Sequence, residues 1–197
     1  MKRIITLLLL VVASGAYAQG IRVGAKAGLN FAGQITRADG YSRSSSSILT
    51  SYHVGGYVTC KFSEVVGLQP ELLFSVQGSK NGDMKLKLSY INVPVLVRFN
   101  VSKVLSFHAG PQVGILVSAK HEISGSDPID LKDDYKNLDL AAAVGTTVDL
   151  PFGLNFTGRF IKGLSNTISE PGTTNYQERN FTFQLSVGFT FIDKGKK

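Results

Sequence analysis

The sequence predicts an all-β protein: an eight-stranded antiparallel up-and-down transmembrane β-barrel with long extracellular loops and short periplasmic turns. Three observations lead to this fold class. Large apolar residues alternate with polar or very small ones along eight segments, which is the period-2 pattern of strands with one apolar face. The polar connections between these segments alternate between long and short. The 197 residues include 21 glycines, a content that helices do not tolerate well.

Each predicted strand keeps its apolar residues at one parity over most of its length. In the last strand, large residues from Phe181 to Phe191 alternate with Thr, Gln, Ser, Gly and Thr. Such runs reach the ~9–11 residues that cross a bilayer at a tilt, whereas an ordinary strand has about 5–6. In chain order the strands are IRVGAKAGLNF (21–31), SYHVGGYVTCKF (51–62), VGLQPELLFSVQGSK (66–80), LSYINVPVLVRFN (88–100), LSFHAGPQVGILVSAK (105–120), LDLAAAVGTTVDL (138–150), LNFTGRF (154–160) and NFTFQLSVGFTF (180–191).

A few residues break the alternation. Lys87 and Ser89 fall on the apolar parity at the start of the fourth strand, which predicts a β-bulge or a strand end outside the apolar zone. Proline is ordinarily confined to edge strands or bulges, yet three prolines lie within strands: Pro70, Pro94 and Pro111. Three leucines occupy polar-parity positions: Leu73, Leu96 and Leu116.

The connections predict the direction of the barrel. Three loops are long, polar and rich in Gly and Ser: residues 33–50, 121–137 and 163–179. Short turns lie around Ser63, around Ser102 and at residues 151–153, and the connection KNGDMK is intermediate. Because long and short links alternate, all the longer ones lie at one end of an antiparallel meander, as in outer-membrane barrels.

The N-terminus predicts export. Residues 1–18 combine Lys2 and Arg3, an apolar run and small residues in an A-x-A pattern, which is typical of a secretory signal peptide cleaved after Ala18. The apolar run is shorter than the ~20 residues that a spanning helix needs. We therefore expect residues 19–197 to form one barrel domain in the outer membrane of a Gram-negative cell. Cys60 is the single cysteine, so an internal disulfide is excluded.

The apolar strand faces contact either lipid or a protein core. A soluble lipocalin-like barrel buries its apolar side, and its water-facing side usually carries many Lys and Glu. Here the polar side is rich in Gly, Ser, Thr, Asn and Gln with isolated charges, which suits the narrow interior of a membrane barrel. Aromatic residues fall near strand ends, where membrane barrels carry interfacial girdles: Phe31, Phe62, Phe99, Phe107 and Phe191. These features favour lipid contact.

Charged residues on the polar parity predict an interior network. An eight-stranded barrel is just wide enough for its side chains to fill, and buried charges require partners. We expect Glu71 and Asp139 to pair with Arg98 and Arg159. The complete predicted network contains Lys26, Glu71, Arg98, Asp139, Asp149 and Arg159, and Lys61 also points inward. The alternative is a narrow path for water or ions through the lumen.

Three histidines bear on catalysis. A lipid deacylase at the rim would need a Ser, a His and an acidic partner, and Ser51 with His53, or His121 with Glu122, are the candidates. No spacing fixes their geometry, so we expect no catalytic, cofactor-binding or metal-binding residues. His108 is predicted to be an interior residue with a hydrogen-bond partner.

Two further ligand classes are not favoured by the sequence. The acidic residues of the fifth connection lack the order and the glycine of a calcium loop, so we expect a solvated loop: Glu122, Asp127, Asp130, Asp133 and Asp134. The formal net charge of +7 is spread along the chain rather than clustered, which excludes nucleic acid as an expected partner.

Five segments resemble the outer-membrane β-barrel proteins of Bacteroidota known as PorT-like or "porin family" proteins: VGAKAGLNFA (23–32), LQPELLFSVQGSK (68–80), LSYINVPVLVRFN (88–100), AGPQVGILVSAK (109–120) and GLNFTGRFIKGLSN (153–166). They are spread over most of the mature chain. The resemblance implies an eight-stranded outer-membrane barrel and carries no catalytic residues.

The expected function is therefore that of a non-enzymatic, integral outer-membrane scaffold. Its partners would be outer-membrane lipid and a protein that contacts the long loops. The alternatives are a narrow channel, a surface lipid-modifying enzyme and a soluble lipocalin-like binder.

Overall fold

The computed structural model describes residues 20–37, 44–45, 47–82, 84–123, 127–167 and 177–195. The signal peptide predicted at residues 1–18 lies outside this part of the chain. Among the described residues, no helix is long and apolar enough to cross a membrane. The strands, in chain order, are β1 Gly20–Arg37, β2 Ser44–Ser45, β3 Leu49–Lys61, β4 Val66–Asn81, β5 Met84–Asn100, β6 Leu105–Ile123, β7 Ile129–Asp130, β8 Leu138–Asp149, β9 Leu154–Gly163 and β10 Gln177–Gly195. Single turns of 3-10 helix lie at Lys132–Asp134 and Pro151–Gly153.

Eight long strands form a closed ring. Each pairs antiparallel with the next long strand along the chain, while the two-residue strands β2 and β7 add to the margins of β1 and β6. β10 closes the ring along the whole of β1, from Gly20 opposite Gly195 to Arg37 opposite Gln177. Closure pairs backbone groups within the sheet, which is the condition for strands in hydrocarbon. The predicted eight-stranded up-and-down barrel is confirmed.

The two faces of the sheet differ sharply in polarity. Along β10, Phe183 and Leu185 point outward with 44% and 47% of their surface exposed, whereas Gln184 between them points inward with 1% exposed. An apolar exterior around a buried polar interior is the inverse of a soluble barrel, so the lipocalin-like alternative is wrong. The exterior is the lipid-facing surface of a transmembrane barrel.

The two ends of the barrel carry different connections. Turns at 62–65, 101–104 and 150–153 lie at one end together with Gly20 and Gly195, and this is the periplasmic end. The extracellular end carries the connections 38–48, 82–83, 124–137 and 164–176. The expected loops 33–50 and 163–179 are partly strand, because β1 continues to Arg37 and β10 begins at Gln177. Most of the intermediate connection KNGDMK belongs to strands: Asn81 pairs with Met84, so only residues 82–83 link β4 to β5.

A β-bulge explains the irregular start of the fourth predicted strand. The β5–β6 register shifts between Ser89 and Tyr90, and Val117 is the extra residue on β6. The bulge therefore lies opposite the irregular residues rather than among them. It reverses the parity of β6, so that Leu116 and Ala119 both face inward.

The prolines lie beside interruptions of the ladder rather than at a sheet edge. Pro70 pairs with Val95, and the next β4–β5 partners are Leu73 and Asn92. Pro94 pairs with Gln112 on β6, and the next β5–β6 partners are Val97 and Ala109. A closed ring of these eight strands has no edge for proline to occupy. Proline has no N–H to donate, so the hydrogen-bonded pairing is interrupted locally beside it.

The polar-parity leucines pack inside the barrel. Leu73, Leu96 and Leu116 are each at most 3% exposed. One apolar cluster, near the extracellular end, contains Leu88, Tyr90, Leu116 and Ala119 and contacts Leu86, Leu131 and Tyr135. A second contains Leu96, Ala141, Ala143 and Ile161. The interior is therefore a packed core of mixed polarity.

Candidate functional site in the barrel interior

At the centre of the barrel, one carboxylate binds two cations. Glu71 Oε1 accepts hydrogen bonds from Lys26 Nζ at 2.9 Å and Arg159 Nη2 at 2.7 Å, and Glu71 Oε2 accepts one from Arg159 Nη1 at 2.8 Å. Lys26 Nζ also lies 5.4 Å from the centre of the Tyr57 ring. All three charged residues are at most 4% exposed. Buried charges are tolerated only when paired and hydrogen-bonded, and this triad meets both conditions.

A second ion pair lies towards the periplasmic end. Arg98 of β5 binds Asp149 of β8 through Nη2 and donates from Nη1 to Gln69 Oε1 at 3.0 Å. The Gln69 amide donates to Glu71 Oε1 at 2.7 Å. Gln69 thus connects the two ion pairs into one network, and it has no charge by which the sequence could have identified it.

The periplasmic mouth carries the next layer of charge. Arg22 Nε donates to Asp193 Oδ2 at 2.8 Å, and Lys61 Nζ lies 3.5 Å from Asp193 Oδ1. Arg22 also lies 3.6 Å from Asp149, which joins this layer to the network above. A cavity of about 580 Å³ opens here, lined by Arg22, Lys61 and Asp149 among others.

Asp139 differs from the predicted arrangement. Instead of pairing with Arg98 or Arg159, its carboxylate accepts hydrogen bonds from Ser165 Oγ at 2.7 Å and Asn180 Nδ2 at 3.1 Å. The reason is its position along the barrel axis. Asp139 lies at the start of β8, near the extracellular end, whereas both arginines lie closer to the periplasmic end. The structure therefore brings Lys26, Glu71, Arg98, Asp149 and Arg159 together and leaves Asp139 separate.

A neutral layer of polar residues separates these levels. His53 Nδ1 lies 2.7 Å from Asn30 Oδ1, and His53 Nε2 lies 2.8 Å from Ser186 Oγ. Asn30 Oδ1 also accepts from Gln184 Nε2 at 2.9 Å, and Asn30 Nδ2 donates to Ser75 Oγ at 3.0 Å. Inward parity was the available signal for these residues, but parity alone does not indicate which of them meet.

The residues considered for catalysis are not assembled for it. Ser51 Oγ donates to the backbone oxygen of Val76 at 2.6 Å, while His53 binds Asn30 and Ser186. Glu122 pairs with Lys87 at 2.7 Å on the outer face of β6. Its neighbour His121 points to the opposite face, because side chains alternate along a strand. Ser186 stands beside His53, but both are at most 6% exposed, so a substrate would have to displace packed side chains.

His108 binds the central arginine. Its Nε2 accepts a hydrogen bond from Arg159 Nε at 3.2 Å, which leaves the proton of the neutral ring on Nδ1. Within the described chain, four buried polar atoms on this wall have no hydrogen-bond partner: the Tyr90 hydroxyl, Asn92 Nδ2, His108 Nδ1 and Gln112 Oε1. They follow one another along the inner faces of β5 and β6.

The acidic connection between β6 and β8 is exposed to solvent. Asp127, Asp130, Asp133 and Asp134 all lie on the surface, and Asp130 Oδ1 accepts from the backbone N–H of Lys132 at 2.9 Å. Over the residues with described positions, no group of three or more His, Cys, Asp or Glu could hold a metal ion.

A closed antiparallel ring of eight strands, apolar outside and filled with polar side chains inside, defines an integral outer-membrane β-barrel protein. Residues 17–169 match the family described as outer membrane protein beta-barrel domain, and the chain belongs to that family. The protein therefore resides in the outer membrane.

Two solved structures share the fold. The attachment invasion locus protein Ail of Yersinia pestis is 14% identical with a TM-score of 0.50, and the match covers 86% of this chain and 98% of Ail. Neisserial surface protein A is 12% identical with a TM-score of 0.55, covering 87% of this chain and 97% of that protein. No curated protein matches the sequence significantly.

Proposed function

We propose that this protein is a non-enzymatic surface scaffold, in which a rigid, filled barrel holds the extracellular connections in place for contact with a partner protein or with the cell's surroundings. Function in a scaffold of this kind concentrates in its loops, while the strands supply stability. The connections at issue are 38–48, 124–137 and 164–176.

The observation that carries the proposal is the Arg159–Glu71 contact. β9 and β4 lie opposite each other in the ring, so this ion pair crosses the full width of the lumen. Tyr57 also reaches across, with its hydroxyl 2.8 Å from Thr190 Oγ1 and accepting from Asn155 Nδ2 at 2.8 Å. Higher up, Thr182 of β10 donates to Gln77 of β4 at 3.3 Å. A lumen bridged at several levels favours a structural role over conduction.

Two lines of similarity are consistent with this proposal. The structurally similar proteins carry the words "attachment" and "surface protein" in their names, although at 12–14% identity they establish the fold alone. Within the outer-membrane barrel family, we propose closer kinship with the PorT-like "porin family" proteins of Bacteroidota, which rests on the five sequence segments named above.

A narrow water path is the second candidate function. The four buried polar atoms without protein partners on the β5–β6 wall favour it, because such atoms commonly bind internal water.

The experiment that tests the scaffold proposal shortens the loops without touching the barrel. Residues 38–43 and 168–176 are replaced separately by a Gly-Ser linker, which keeps Thr167, whose hydroxyl donates to the Glu178 backbone oxygen. We expect both variants to refold into barrels that resist SDS before boiling, with nearly unchanged unfolding midpoints. If either replacement abolished the folded barrel, the connections would be part of the core and the scaffold proposal would be wrong.

A further inference from the structure

The outer face of the β4–β6 ribbon carries four lysines at its extracellular end: Lys80, Lys85, Lys87 and Lys120, here called the lysine patch. Lys85 and Lys87 alternate along β5 with Leu86 and Leu88, which pack into the interior apolar cluster, so the lysines point outward. Lys80, Lys85 and Lys120 are exposed and Lys87 is half-buried.

The strand register places these lysines in directly opposite cross-strand pairs. Lys80 lies directly opposite Lys85, and Lys87 lies directly opposite Lys120. Like charges at directly opposite positions destabilise a sheet, since their Cβ atoms are only about 4.5–5.5 Å apart. Two such pairs on one face therefore favour the binding of negative charge beside them.

The patch's own acidic neighbours neutralise only part of it. Glu122 binds Lys87 at 2.7 Å, and Asp130 lies opposite Lys120 on β7. The Asp130 carboxylate already accepts from the Lys132 backbone N–H. Asp83 lies outside the described residues. Glu122 also lies directly opposite Lys85. Lys80 faces Lys85 and Ser47, so among the described residues no acid lies directly opposite it, and it is the least compensated lysine of the patch.

The height of the patch matches the lipid headgroups. The last apolar row on this side contains Val76, which pairs with Ser89. Lys87 lies two residues beyond Ser89, about 7 Å further along the strand and less along the membrane normal because the strands tilt. Headgroup regions extend ~5–7 Å beyond the hydrocarbon on each side. Flexible lysine side chains at this level reach the phosphates of the outer leaflet.

We propose that the lysine patch is a binding site for the phosphate groups of an anionic outer-leaflet lipid, with Lys80 and Lys85 as the principal ligands. Two facing ammonium groups bracket a phosphate and relieve their own repulsion. The site lies on the lipid-exposed surface, outside both the interior network and the proposed loop surface.

The test compares barrels in phosphatidylcholine nanodiscs that contain bisphosphorylated lipid A with barrels in nanodiscs that contain the same lipid stripped of its phosphates. Lipid retained by each barrel is counted by native mass spectrometry after mild delipidation. We expect the phosphorylated lipid to be retained selectively. The double variant Lys80→Gln with Lys85→Gln should bind it roughly 30-fold more weakly. This figure follows from about 1 kcal/mol lost per lysine, with each 1.4 kcal/mol giving about a tenfold loss of affinity.

Three controls make the result decisive. Lys103→Gln, in an exposed periplasmic turn, should retain the lipid as the wild type does. Lys80→Arg with Lys85→Arg should also retain it, and resistance to SDS before boiling checks that every variant is folded. Equal retention of the phosphate-free lipid, or wild-type retention by the double glutamine variant, would overturn the proposal. Competition by inorganic phosphate alone at matched concentration would identify a free anion as the ligand and overturn the lipid assignment.

Discussion

Arg159 of β9 and Glu71 of β4 join opposite walls of the barrel through two hydrogen bonds of 2.7 and 2.8 Å. Three strands separate β4 from β9 in either direction around the ring, so the contact acts as a cross-brace. Lys26 adds a third bond to the same carboxylate. Among the described acidic residues, Glu71 is therefore the one that forms ion pairs with both buried cations, Lys26 and Arg159.

The first prediction concerns the unequal roles in this triad. Glu71→Gln should lower the free energy of unfolding by about 3–5 kcal/mol, because it leaves Lys26 and Arg159 buried without a carboxylate. Lys26→Met should cost about 2 kcal/mol, since the Glu71–Arg159 pair remains intact. Both losses are measured by urea unfolding in detergent micelles. Far-UV circular dichroism follows the unfolding, because the chain contains no tryptophan for fluorescence. Equal losses for the two variants would contradict the central role of Glu71.

Glycine on the inner wall provides a second prediction. A Cβ at Gly145 would lie 2.4 Å from the backbone oxygen of Gly158 and 2.6 Å from His108 Nε2. Gly145→Ala should therefore destabilise the barrel by about 1–3 kcal/mol and disturb the His108–Arg159 hydrogen bond. The matched control is Gly158→Ala on the outer face, where the nearest atom would be 3.9 Å away. If both alanines were tolerated equally, the inner wall would be less tightly packed than described.

The orientation in the membrane gives a third prediction. Asn81 is exposed next to an extracellular link, and Lys103 is exposed in a periplasmic turn. With the buried Cys60 replaced by serine, Asn81→Cys should react with a membrane-impermeant maleimide on intact cells. Lys103→Cys should react only after the outer membrane is permeabilised. The reverse pattern would require an inverted barrel.

The fold was predictable because period-2 alternation determines both the strand count and the face that meets lipid. Leu86 shows where this reasoning ends. It lies in β5 and packs against the interior apolar cluster, although the predicted fourth strand begins only at Leu88. The extension of β4–β6 beyond the lipid depends on pairing partners that no single strand encodes. For the same reason, KNGDMK could not be distinguished in the sequence from a longer loop.

The network was only partly predictable, because inward parity identifies which residues share the lumen but not their height. Asp139 and Arg159 both face inward, yet the stagger between tilted strands separates them along the barrel axis. Arg98 meets Asp149 because both lie near the periplasmic ends of their strands. The neutral residues Gln69 and Asn30 carry much of the bonding, and polar residues of this kind give no pairing signal in the sequence.

Single-channel recording in planar bilayers tests the central claim, a filled barrel that acts as a scaffold rather than a pore. We predict that the wild-type protein inserts without producing discrete conductance steps. Glu71→Ser combined with Arg159→Ser, which removes the cross-brace from both walls, should produce such steps. Steady, reproducible steps from the wild-type barrel would contradict the account and identify the lumen as the working part of the protein.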